Sequence, residues 1–228
     1  IRQRQISEIK NDFINNLLPQ LSPKTKVVLT NVFGGFCKFA HDFIDIKLFV
    51  SEATLVKYSL HGGKLNKKFD VIYNPVQETL IKPHKLVNRK INNKIVIGRI
   101  ARPDLLKWDY DFELLLRLLK KTQFDFKLII VGLPPEIKEN LLNLDMDIEF
   151  IESISNKVDL DNFYKSIDAL VHLSSIGESF GCVFVEAMNH GVPVVVKSTP
   201  ISKHNFWRDN AQVEIIETYK TGIVCNKD

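Results

Sequence analysis

Long apolar runs are missing from this sequence. Nothing in it reaches the ~18 consecutive apolar residues that a membrane-spanning helix requires. Cysteine is scarce, with three in 228 residues, Cys37, Cys182 and Cys225. They are far apart, odd in number and form no CxxC pair, so neither a disulfide framework nor a cysteine zinc site is indicated. A reducing compartment fits, and Cys182, with no base matched to it, reads as a packed thiol rather than a nucleophile. An excess of one charge is lacking too. The net charge of +4 is not the basic footprint of a nucleic-acid binder, although it leaves anionic ligands and a membrane surface open. His41, His61, His84, His190 and His204 show no metal-ligand spacing. There is no internal repeat or low-complexity tract. Ile1–Arg4 does not lead into a signal-peptide core, so secretion is not expected, and a first residue other than Met suggests missing upstream sequence.

What is present is the composition of a globular chain, 45% hydrophobic and 25% charged, long enough for one domain or for one and a half. Ile6 to Leu18 carries apolar residues at helical spacing until Pro19 breaks the pattern. Lys26–Val32 reads as a strand before the Gly34–Gly35 turn, and Ile46–Ser51 as a second strand. Ser51 then caps a helix that closes near His61–Gly63, and Phe69–Tyr73 is a further strand. Gln77 to Asn93, rich in Lys and Asn and weakly periodic, reads as a linker. From Lys94 onward strands and helices alternate. Strands are expected at Lys94–Gly98, Phe126–Gly132, Asp147–Ile151 and Ala169–Leu173, with helices at Tyr110–Lys121, Pro135–Leu144 and Leu160–Ile167. Beyond Val196, Ile201–Trp207 is expected to be helical, and Glu214–Ile216 and Gly222–Val224 to be short strands. Such alternation predicts an α/β, Rossmann-like parallel sheet with helices on both faces.

The densest signal is Gly177 to Val196. Gly177 and Gly181 bracket a tight turn after an apolar strand, and Cys182 to His190 suits a helix whose Phe184, Ala187 and Met188 share one face. Gly191 and Pro193 end that helix, and Val194–Val196 is a strand covered on both faces. Two carboxylates interrupt this apolar unit. Glu178 lies in the loop, and Glu186 lies eight positions on, too deep in the helix to be just a cap. Most helical glutamates are solvated, but these stand where open α/β sheets bind ligands. The helix start offers N–H groups and a positive dipole end to an anion, and a carboxylate beside a phosphate site suits a vicinal diol such as ribose.

Gly177-Glu178-Ser179-Phe180-Gly181, Glu186-Ala187-Met188 and Gly191-Val192-Pro193-Val194-Val195 together resemble the E-x7-E signature of retaining glycosyltransferases of family 4. Those are two-domain GT-B enzymes, and the signature lies in their C-terminal, donor-binding domain. The resemblance implies that residues 94–228 bind a nucleotide sugar, that 81–93 is the linker, and that 1–80 closes a partial N-terminal, acceptor-side domain. Val71–Pro75 is similar to the end of that domain, though by pattern more than by signature residues.

The resemblance also distributes roles. Two arginines and a lysine occupy Gly98–Trp108, a loop after a strand, where such residues taken alone are usually solvated. The family places an Arg and a Lys here to neutralise the donor diphosphate, so Arg99 and Lys107 are the matches, and Arg102 shares or replaces Arg99 because the loop is long. Gly98 is carried with them as a substrate contact. Glu178 would meet donor-sugar hydroxyls, and the amides of Ser179, Phe180 and Gly181 the phosphate or sugar oxygens. Glu186 would hold the ribose, and backbone around Ile151 the base. His172, at a strand end, reads as a satisfied core histidine. No Asp-x-Asp pair is placed for a metal-bound diphosphate, and GT-B enzymes generally work without a bound metal, so no metal or cofactor is expected. A sugar or lipid-linked acceptor is implied, with cytoplasmic localisation and peripheral attachment to a membrane left open. Two alternatives stand beside this reading, a nucleotide-sugar 2-epimerase of the same fold and a non-catalytic nucleotide-sugar-binding module.

Overall fold

The computed structural model describes residues 12–35, 44–65, 68–76, 94–108, 110–122, 124–202, 204–205 and 208–225. The chain divides into two compact units, Ile1–Tyr73 and Asn74–Asp228. Residues 81–93, expected to be the linker, lie outside the described residues, as does the start of the expected first helix, residues 6–11. The described end of that helix is a π-helical turn, Phe13–Leu17, running into a 3-10 turn, Leu18–Gln20, that contains Pro19.

In the first unit β1 (Val28–Asn31), β2 (Ile46–Phe49) and β3 (Lys68–Val71) form a parallel sheet in that order. Asn31 shapes the glycine turn after β1. Its Oδ1 accepts from the Gly34 amide and its Nδ2 donates to the Gly35 carbonyl, both at 2.8 Å. Helix α1 (Glu52–Leu60) starts at a capping box, in which the Ser51 hydroxyl accepts from the Thr54 amide at 3.1 Å and the Thr54 hydroxyl from the Ser51 amide at 3.2 Å.

The second unit is one parallel sheet of β4 (Ile95–Ile100), β5 (Phe126–Val131), β6 (Ile148–Ile151), β7 (Ala169–His172), β8 (Val194–Lys197) and β9 (Gly222–Cys225). Its order is β6-β5-β4-β7-β8-β9. The chain steps outward from β4 to β6 and then returns to lay β7 against the other side of β4. That reversal leaves a crevice beyond the carboxyl ends of β4 and β7. The flanking helices are α2 (Tyr110–Lys120), α3 (Pro135–Leu142), α4 (Lys157–Ser166), α5 (Cys182–Asn189) and α6 (Ala211–Tyr219).

Strand β5 is apolar and buried along its second half, and Leu128 and Ile130 pack with Trp108, Leu116, Leu141 and Leu144 into one core cluster. At Gly98 of β4 an added Cβ would lie 2.5 Å from Ile167, so this glycine lets α4 pack close to the sheet. Helix α4 starts three residues earlier than its apolar pattern suggested, because Asn156 caps it by accepting from the Asp159 amide at 2.9 Å.

Two expectations are corrected. Glu214–Ile216 is not a strand but part of α6, whose buried residues Ala211, Gln212, Ile215 and Ile216 repeat at helical spacing. Ile201–Trp207 is not helical in its described part. Ser202 instead accepts the amides of His204 at 3.3 Å and Asn205 at 3.2 Å, the local side-chain bonding that competes with a helix.

Candidate functional site

The crevice between β4 and β7 holds a compact polar cluster. After β4, Asp104 caps a 3-10 turn, Leu105–Lys107, by accepting from the Leu106 amide at 3.0 Å. Trp108 anchors the loop in the core and donates its indole N–H to the Arg102 carbonyl at 3.0 Å. This geometry turns Lys107 back over the end of β4. Arg99, on β4 and 1% exposed, lies under the Trp108 ring with its guanidinium carbon 4.8 Å from the ring centroid. One of its Nη groups donates to the Lys107 carbonyl at 2.5 Å and the other to Nδ1 of His172. An arginine can only donate, so Nδ1 accepts and the His172 proton sits on Nε2. That nitrogen is 2.9 Å from Oε1 of Glu178. The same oxygen is 2.7 Å from Nζ of Lys107, which also donates to the Gly177 carbonyl at 3.0 Å.

Burial and mutual charge set the protonation of this cluster. Burial lowers Arg99 to about 10, with Glu178 pulling the other way, so it stays a cation. Burial and the neighbouring Arg99 push His172 down to about 4, against Glu178, so it is a neutral ring at pH 7. Burial would raise Glu178, but hydrogen bonding and charge from His172 and Lys107 outweigh it and hold it at about 2. The cluster therefore opposes two cations to one carboxylate, a net positive site in surroundings where charge is weakly screened.

The loop from β7 to α5 is built around two glycines. Gly177 has φ +70°, and a Cβ there would sit 1.9 Å from the Asp209 carbonyl oxygen. Gly181, the N-cap of α5 with φ +88°, offers no capping side chain. The loop is pinned from downstream. Gln212 accepts from the Glu178 amide at 2.9 Å while its amide nitrogen donates to the Lys197 carbonyl at 3.0 Å and the Thr199 hydroxyl at 2.5 Å. Asp209 donates its amide to the Ile176 carbonyl at 2.8 Å, and Ala211 to the Glu178 carbonyl at 2.9 Å.

Glu186 occupies different surroundings. It lines a cavity of about 280 Å³ with Ile154, Asn156, Tyr164, Asn189 and His190, among other residues. Its Oε2 accepts from the Tyr164 hydroxyl at 2.8 Å. Tyr164 is fully buried and stacks on His190, with centroids 5.1 Å apart and rings inclined by 29°.

Arg99, Lys107 and Glu178 thus come together, and Ser179, Phe180 and Gly181 lead from them into α5. Arg102 does not join them. It is exposed and contributes its carbonyl to Trp108. Gly98 faces Ile167 and Phe163. Ile151 gives its carbonyl to the Gly132 amide at 3.0 Å, and it is Ile154 that reaches the cavity. Sequence reasoning missed His172, Tyr164 and Gln212. For His172 the signal was a polar residue ending an apolar strand directly before the glycine loop; the others touch the loop or Glu186 only through the fold. Among the described residues no group of three or more His, Cys, Asp or Glu side chains is placed to hold a metal ion. Among them, too, no helix is long and apolar enough to cross a membrane.

The family model for glycosyl transferases group 1 matches residues 88–227, more than half of the chain. The structure of HepE from Anabaena, in complex with UDP and glucose, is similar with a TM-score of 0.64 and 19% identity over 89% of this chain and 58% of that one. A glycosyltransferase from Rickettsia africae gives 0.61 and 19% over 88% and 56%. WaaG, a glycosyltransferase involved in lipopolysaccharide biosynthesis, gives 0.56 and 16% over 79% and 49%. The chain spans about half the length of these relatives, and the likeness shows the fold, the GT-B arrangement of parallel sheets with flanking helices. No curated protein matches the chain.

Proposed function

Because this chain belongs to the family of glycosyl transferases group 1, we propose that residues 94–228 bind a nucleoside diphosphate sugar and form the donor half of a retaining, family 4 glycosyltransferase. The observation that carries the reading is the Lys107–Glu178 pair at 2.7 Å, backed by Arg99 and His172, in the crevice at the sheet's reversal. A diphosphate entering there meets a net positive, largely buried cluster. Lys107, with Arg99 behind it, stabilises charge that develops on the leaving diphosphate, which is electrostatic catalysis and calls for no metal. Glu178 is held ionised and so acts as acceptor for sugar hydroxyls. The amides of Ser179, Phe180 and Gly181 meet phosphate or sugar oxygens. Glu186 takes the ribose in the adjoining cavity, and backbone near Ile151–Ile154 takes the base. HepE, of the same fold, is known in complex with UDP-glucose, which supports a nucleotide sugar as the ligand class.

In this reading residues 1–80 belong to the acceptor side, 81–93 link the halves, and a sugar or lipid-linked acceptor attacks the face from which the nucleotide leaves. Calorimetric titration with UDP, GDP and ADP tests the donor site. One nucleotide is expected to bind clearly best, and Lys107→Met or Glu186→Ala to weaken it by at least about tenfold, the loss of roughly 1.4 kcal/mol. Failure of all three nucleotides to bind would sink the donor-site reading.

A further inference from the structure

We infer that Tyr164 is a positioning residue that gives the site its preference for ribose over 2′-deoxyribose by fixing which oxygen of Glu186 faces the cavity. The inference rests on the reading of Glu186 as the ribose ligand and adds a residue outside the E-x7-E signature. The second carboxylate of the signature rotates about its last torsion and presents either oxygen, or neither, to a diol. Here Oε2 accepts the Tyr164 hydroxyl at 2.8 Å, and among the described residues Oε1 has no bond. The one phenolic proton has two acceptors to choose from, Oε2 and the Val183 carbonyl at 3.3 Å. The shorter, charge-assisted bond wins.

Tyr164 cannot easily move or lose that proton. It is fully buried, packs edge-on to Phe163 with centroids 5.2 Å apart, and stacks on His190. Burial and the Glu186 charge push its phenol far above the usual tyrosine range, so the hydroxyl stays a donor at any working pH. His190 is itself held at both nitrogens, with Nδ1 2.7 Å from the Glu186 carbonyl and Nε2 3.1 Å from Asp161. Tyr164, Asp161, His190 and Glu186 all line the one cavity. The carboxylate therefore meets a ligand already oriented, with Oε1 spared for it, and two hydroxyls on one sugar are what a single fixed carboxylate oxygen and its plane recognise best.

The test uses the full chain and whichever of UDP, GDP and ADP binds best, together with its 2′-deoxy counterpart, titrated calorimetrically against wild type, Tyr164→Phe and Glu186→Gln. Wild type is expected to prefer the ribonucleotide by about tenfold or more. Tyr164→Phe should bind the ribonucleotide about five- to tenfold more weakly and leave the 2′-deoxy affinity nearly unchanged, so that the preference collapses. If Tyr164→Phe weakens both nucleotides alike, or neither, while Glu186→Gln abolishes the preference, Tyr164 is only a packing residue and the inference falls. If Glu186→Gln keeps the preference, or no nucleotide binds, the ribose reading itself fails and takes the inference with it. A misfolded variant would lose both ligands together and so cannot imitate the expected result.

Discussion

Replacing Lys107 by methionine keeps the length of the stem and removes the ammonium that lies 2.7 Å from Glu178 and 3.0 Å from the Gly177 carbonyl. The two side chains are 12% and 18% exposed, so water screens the pair only in part. Deleting one partner of a fully buried pair costs roughly 3–5 kcal/mol because the other charge is stranded. Residual exposure, and the His172 N–H that still faces Glu178, bring the expected loss to about 2–3 kcal/mol. Glu178→Gln removes the stranded charge from the other side. It leaves Lys107 with its carbonyl partner and a route to solvent, so about 1–2 kcal/mol is expected. The double variant should then be less damaged than the two losses added, with a coupling of at least about 1.5 kcal/mol. Urea unfolding followed by tryptophan fluorescence measures this, because Trp108 is buried in the core of the second unit. Additivity within about 0.5 kcal/mol would refute the coupled pair and, with it, the pre-organised charge on which the proposed chemistry depends.

Two further outcomes follow from the same site. His172 binds its proton near 4 when folded against 6.5 unfolded. Protonation thus favours the unfolded chain, and stability is complete above pH 6.5 and falls by roughly 1.4 kcal/mol per pH unit between 6.5 and 4. Glu178, lowered from 4.5 to about 2, extends the loss through that lower window. Urea midpoints against pH should lose the upper slope in His172→Asn, and an unchanged slope in that variant would contradict the assignment. Gly177→Ala should destabilise by more than about 2 kcal/mol and abolish nucleotide binding, since its Cβ would meet the Asp209 oxygen at 1.9 Å with φ at +70°. Gly62→Ala, with φ +83° but no atom within 4 Å of the added Cβ, should cost only about 1 kcal/mol. Equal effects on melting would show that backbone strain alone, not the close approach to Asp209, fixes Gly177.

The parts of the fold that could be read from sequence are those whose signals are local. Strands β5, β7 and β8 are largely buried apolar runs, and Ser51, Gly191 and Pro193 punctuate helices by themselves. Glu214–Ile216 misled because two adjacent isoleucines look alike in a strand and on a helix face. Only the wider spacing of Ala211, Gln212, Ile215 and Ile216 tells them apart. At the site, the carboxylates and the lysine could be singled out because each is a charge in an apolar frame. What Arg99 touches could not. Its partner His172 depends on β7 being laid beside β4, a pairing of residues about seventy positions apart, and its bond to the Lys107 carbonyl depends on the 3-10 turn that folds back after β4. Tyr164 was hidden for a similar reason, since its bond to Glu186 joins α4 to the next helix, α5, across the intervening β7.

The hydrogen bonds from Gln212, Asp209 and Ala211 make the shape of the 173–181 loop a property of two distant stretches at once. In engineering language the loop is not a cassette. Transplanting Gly177–Gly181 with its helix onto another Rossmann scaffold would carry the signature but leave behind the clamp that shapes it. Conversely, trimming or reshuffling residues 199–212 edits the site without altering one of its signature positions. A screen that ranks homologous sequences by their signature alone would therefore pass chains whose loop has lost its mould.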